Sequence, residues 1–112
     1  MRAVMDEKEI QDVVESILKA LPGNIIRIVL YGSVARGTAT GESDVDIAVF
    51  VSDTLSADQL DALSDAVVDL NLKYDKVYSV IDIRNDEYEK WKAIIPFYRN
   101  VSDEGVVLWT AA

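Results

Sequence analysis

The chain has no cysteine and no histidine. The first absence removes disulfides and thiolate metal sites. The second removes zinc chemistry and His-based triads, so any general base must be a carboxylate. Basic residues are scarce, with 11 Lys and Arg against 20 Asp and Glu and a formal net charge of −9. A phosphate backbone repels such a surface, and no Lys/Arg cluster offsets the repulsion, so long nucleic acids are poor substrates. A basic protein partner remains, or a small substrate whose charge is carried by a metal. No run of 18 apolar residues exists to span a membrane, and Met1–Asp6 lacks an apolar signal core, so the expectation is a soluble, cytoplasmic protein. Linkers, repeats and low-complexity segments are missing as well. The 112 residues therefore read as one domain, 1–112, with a single core.

What is present is an ordinary globular pattern. Asp6 with Glu9 predicts a capping box, and Ile10, Val13, Val14, Ile17, Leu18 and Leu21 recur at helical spacing until Pro22-Gly23. Ile25 to Tyr31 is a short apolar strand, 33–38 a brief helical turn and 39–43 a loop. Asp44 to Val51 predicts a strand that is apolar on both faces after Asp46, and so central in a sheet. Ser56 with Gln59 caps a second long helix. Leu60, Leu63, Val67 and Leu70 face its core side, and Asp58, Asp61, Asp65 and Asp69 its solvated side. Lys76 to Ile83 reads as a third strand. A helix runs from Asn85 to about Ala93 before Pro96 breaks it, and Gly105 to Trp109 is a last strand. The expected fold is α/β (α+β in some schemes), a mixed sheet of about four strands with helices packed on one side.

The chemistry concentrates in residues 30–50. Gly32-Ser33 follows the first strand, and after ten intervening residues come Asp44-Val45-Asp46 at the mouth of the second. Residues two apart on a strand share a face, so the two carboxylates project together, about 6.5 Å apart at Cα. Such a pair either keeps a proton or holds a cation, and oxygen ligands favour magnesium. A glycine lets backbone approach a phosphate, and Ser33 adds a hydroxyl donor. Phosphate donors on one turn and metal ligands on the next strand suit phosphoryl or nucleotidyl transfer. A D-x-D pair alone is more often a surface feature. Joined to G-S at a fixed spacing, it arises by accident in roughly one chain in a thousand of this length. Arg36, the one cation in the loop, has two readings, a phosphate contact or a structural ion pair. Tyr31, Trp91, Tyr98 and Trp109 read as core rather than as base-stacking platforms.

The run G-S-V-A-R-G-T-A-T-G-E-S-D-V-D-I-A-V resembles the signature of the polymerase-beta-like nucleotidyltransferases, and in particular their minimal (MNT) branch. The ending, Pro96-Phe97-Tyr98-Arg99-Asn100-Val101 and then Glu104 to Trp109, is similar to that of such domains. The resemblance implies the palm-like nucleotidyltransferase fold and transfer of AMP from ATP to a hydroxyl. It implies two magnesium ions, one held by Asp44, Asp46 and Asp82 and one by Asp44 and Asp46. It also implies β- and γ-phosphate contacts at Gly32 and Ser33. Asp82 enters as the third acid that this superfamily carries on a neighbouring strand, here set between Ile81 and Ile83. MNT domains are usually paired with HEPN-domain toxins, so the resemblance implies a HEPN partner, a hetero-oligomer, and an antitoxin that adenylylates a tyrosine of its toxin. Two other readings stay open: an antitoxin that only occludes its partner, and an aminoglycoside-type small-molecule nucleotidyltransferase.

Overall fold

A computed structural model describes residues 5–38 and 44–111. The order of elements is α1 (Glu7–Ala20), β1 (Ile25–Tyr31), α2 (Gly32–Arg36), β2 (Val45–Val51), α3 (Ala57–Tyr74), β3 (Tyr78–Arg84), α4 (Asn85–Trp91), α5 (Pro96–Glu104) and β4 (Val106–Thr110). The strands form one mixed sheet in the order β3-β2-β1-β4. β1 is antiparallel to both β2 and β4, and β2 is parallel to β3. The parallel pair follows from the crossover through α3, because a helix must carry the chain back before the second strand can start. β2 is central, as its composition predicts, and Ile47 to Val51 are at most 1% exposed. The expected loop 39–43 lies outside the described residues.

Strand alternation divides the core. Ile28, Leu30, Ile47, Val49 and Tyr78 pack beneath α1 and α3 against Val13, Ile17, Leu63 and Leu70. Val29, Ala48, Phe50 and Ile83 face the other way and meet Tyr88 of α4 and Val101 of α5. The two long helices thus share one side, as expected. The short α4 and α5 add a second, smaller layer that the expectation of one-sided packing did not include. α5 itself was not foreseen. Pro96 stands at its first turn, where a missing N–H costs nothing, so the residue read as a breaker is a starter. Leu60, expected in the core, is 43% exposed in the first turn of α3.

The capping boxes part ways. Ser56 and Gln59 cap α3 reciprocally. At α1, Asp6 accepts from the Glu9 amide, but the Glu9 side chain turns away from the cap. It is 4% exposed, and Lys76 Nζ binds its two oxygens at 2.8 and 2.9 Å. The Tyr78 hydroxyl also donates to Glu9, and burial together with this bond pushes the phenol's pKa well above its usual value. This buried pair ties α1 to the start of β3. Glu9→Ala leaves Lys76 without its partner and is expected to lower unfolding free energy by about 2–3 kcal/mol in urea titration at pH 7. Replacing both residues with methionine should recover only part of that loss, because the buried Tyr78 hydroxyl still lacks its acceptor.

Candidate active site

β1 ends at Tyr31, whose Cα partner across the antiparallel ladder is Asp46. The chain then turns sharply into α2 at Gly32, which has φ +77°, in the left-handed region that glycine alone enters freely. The turn lies directly against Asp46. A Cβ at Gly32 would stand 3.1 Å from the Asp46 carboxyl carbon and overlap its Oδ2. Gly32 is therefore required twice, by backbone conformation and by the carboxylate it faces. Ser33 follows as the second residue of α2, half-buried.

Asp46 is the second residue of β2 and half-buried, while Asp44 sits exposed one residue before the strand. Burial raises the pKa of Asp46 above the usual carboxylate value, and the neighbouring Asp44 charge raises it further. Arg36 acts in the opposite sense, so its charge also reaches this carboxylate. The Arg36 guanidinium is itself paired with Glu104 of α5 at 3.0 Å. Of the two sequence readings for Arg36, the ion pair is thus formed, and it lies beside the site rather than remote from it. Tyr31 flanks Asp46 with its ring edge-on to Phe97 at 5.6 Å, and burial followed by the Asp46 charge raises the phenol's pKa. Tyr31 and Tyr98 pack on the α4–α5 side of the sheet and Trp109 on the other, in line with the core reading.

Asp82 departs from its expected place. The β2–β3 register pairs it with Val49, not with Asp46. Tyr78 and Val80 belong to the core under α1 and α3, so alternation turns Asp82 toward that same face, opposite to Asp46. It is also three residues deeper along the strand, about 10 Å from the level of Asp46. The structure brings Gly32, Ser33, Arg36, Asp44 and Asp46 together and leaves Asp82 out. Among the described residues, no three acidic side chains gather in a group able to hold a metal ion. The β3 residue beside Asp46 is Ser79, which no sequence motif singles out. The signal was available: a helical crossover makes β3 parallel to β2, so a partner for the second residue of β2 must lie near the start of β3.

The site is thus a glycine turn closed over a carboxylate at a strand mouth. Residues 12–111 match the family described as Polymerase beta, Nucleotidyltransferase. The chain belongs to this nucleotidyltransferase family. A Methanocaldococcus jannaschii protein, provisionally named protein adenylyltransferase MJ0604, is 38% identical over 104 residues, covering 93% of this chain and 98% of its own length. Among solved structures, a toxin–antitoxin with AMP-PNP matches with a TM-score of 0.65 at 24% identity, over 91% of this chain and 73% of the other. A tri-AMPylated Shewanella oneidensis HEPN toxin in complex with its MNT antitoxin gives 0.63 at 21% identity, over 96% and 74%. At these identities the structural likeness establishes the fold, and the family match establishes the class of enzyme. No helix among the described residues is long and apolar enough to cross a membrane.

Proposed function

We propose that this nucleotidyltransferase moves AMP from ATP to a hydroxyl, and that the acceptor is a tyrosine of a HEPN-type partner whose toxicity it thereby silences. The observation that carries the reading is the closure of the Gly32 turn over the Asp46 carboxylate, which supports a phosphate site beside a metal ligand. The provisional name of the 38% identical relative supports a protein acceptor, and the toxin–antitoxin complexes that share the fold support a HEPN partner. The net charge of −9 suits a basic protein better than a polynucleotide.

The donor set of Asp44 and Asp46 fits magnesium, a hard ion that takes oxygen ligands and completes its shell with water and phosphate. When bound, magnesium would neutralise charge on the triphosphate and on the departing pyrophosphate. The rest of the work falls to the chain. The Gly32 turn brings backbone close to the phosphates, and the Ser33 hydroxyl donates to them. Asp44 and Asp46 fix the reacting end of the triphosphate against the strand mouth. The acceptor oxygen bonds to the α-phosphorus, the bond from that phosphorus to the bridging oxygen breaks, pyrophosphate leaves, and the acceptor's proton is released.

The test is to incubate the protein with labelled ATP, magnesium and its co-encoded partner and to weigh the partner. A gain of one or more AMP supports the reading, and an unchanged mass with ATP intact opposes it. Two further outcomes bear on the site. ATP affinity by calorimetry should fall at least about tenfold when EDTA replaces magnesium, because two carboxylates otherwise repel the phosphates. Ser33→Ala should weaken nucleotide use several-fold and lower the melting temperature by no more than about 4 °C, since a half-buried hydroxyl on a turn contributes about 1 kcal/mol or less to folding.

A further inference from the structure

β2 and β3 run parallel, so their N-terminal ends open at the same edge of the sheet. Asp46 is the second residue of β2, Ser79 is the second of β3, and the two are Cα partners with no irregularity along the ladder. Neighbouring strands lie about 4.8 Å apart. The direction of both side chains follows from the core. Ala48, Phe50, Ile81 and Ile83 pack on the α4–α5 side, and Asp46 and Ser79 stand an even number of residues before them. Across the mouth of the sheet, Ser79, Asp46 and Tyr31 therefore form one row on one face, with Ser79 half-buried.

We propose that Ser79 occupies the third position of the transfer site, the place where a third acid would complete the metal-binding set; this rests on the reading of Asp44 and Asp46 as metal ligands. The chain then offers two carboxylates and a hydroxyl. A hydroxyl can donate to the Asp46 carboxylate or lend a lone pair to a cation, but it adds no charge. Two consequences follow. With one negative charge fewer, the apo site holds a divalent ion weakly, and the ion arrives with the triphosphate. In addition, a serine hydroxyl is too weak a base to take the acceptor's proton, so Ser79 does not serve as the general base. Ser79 is thus a positioning residue, and Asp82, on the opposite face, has no part in metal binding.

Manganese alone, titrated into the apo protein and followed by electron paramagnetic resonance of the unbound ion, tests this without reference to turnover. Ser79→Asp should bind manganese about tenfold or more tightly than the wild type, because affinity for such ions rises with the charge of the ligand set. Its melting temperature should also respond to manganese more than the wild type's does. Asp82→Asn should bind as the wild type does. Equal affinity in Ser79→Asp and wild type, or a tenfold loss in Asp82→Asn, overturns the assignment. Should Ser79→Asp fail to fold without metal, Ser79→Glu supplies the same charge on a longer, more adaptable arm. It should tighten binding about tenfold, and no tightening overturns the proposal. Asp46→Asn separates this inference from the reading beneath it. If Asp46→Asn keeps the wild-type manganese affinity, the metal site itself falls, and the Ser79 assignment with it. If Asp46→Asn loses manganese while Ser79→Asp gains nothing, only the Ser79 assignment falls.

Discussion

Asp46→Asn is expected to cut AMP transfer by about a thousandfold while leaving the apo protein as stable as before, or slightly more so. The rate loss follows from the chemistry: phosphoryl and nucleotidyl transfer rest on positioning and charge neutralisation, and loss of one preorganised electrostatic contact typically costs 10²–10³ in rate, or more where it also holds a cation. The stability side follows from linkage. Burial and the Asp44 charge raise the folded-state pKa of Asp46 above its unfolded value. The folded state therefore binds the proton more tightly than the unfolded state does. Ionised Asp46 penalises folding above its raised pKa, and the penalty disappears as pH falls below the unfolded value. Asparagine keeps the shape and removes the penalty. A thermal melt at pH 7 should thus show no loss for Asp46→Asn, and the difference from wild type should shrink toward pH 4. A large drop in melting temperature would mark Asp46 as a structural residue instead.

Gly32→Ala should be the second most damaging change, for a different reason. The new Cβ overlaps the Asp46 carboxylate, so either the turn or the aspartate must move. Alanine at φ +77° adds about 1–2 kcal/mol of backbone strain. Displacing a reacting group by an ångström commonly costs about a hundredfold in rate, and that is the expected loss. Gly23→Ala is the control. Gly23 has φ +78°, but a Cβ there meets nothing within 4 Å. It should carry the same backbone strain, lower the melting temperature no more than Gly32→Ala does, and retain full transfer. If the two variants lose activity equally, the contact between Gly32 and Asp46 has no functional weight.

Much of this was legible in the chain, for identifiable reasons. β1 and β2 are short apolar runs bounded by turn residues. The segment Gly32-Ser33 to Asp46 carries its chemistry in local order, so spacing alone brings its residues near one another. Asp82 failed because its assignment depended on register. The flanking isoleucines suggested a buried site for a charge, yet β3 is an edge strand, and the face that Asp82 occupies there is open. α5 failed because proline both ends and begins helices, and composition alone does not say which. The sequence pattern pairs Glu9 with the nearby Asp6, whereas a long-range cation, Lys76, holds it. The Asp82 and Glu9 misses concern contacts distant in sequence, which no local pattern encodes.

The central claim is that the carboxylates against the Gly32 turn carry out transfer onto the partner, rather than merely shaping a surface that covers it. The most direct measurement is the intact mass of the HEPN-type partner after co-expression, with wild type and with the folded Asp44→Asn/Asp46→Asn double variant, alongside growth of the cells. The account predicts AMP-bearing partner and protected cells with the wild type. With the double variant it predicts a partner of unmodified mass, still bound, and toxicity at ordinary expression. Full protection by a folded double variant with no AMP on the partner would contradict it and leave occlusion as the mechanism.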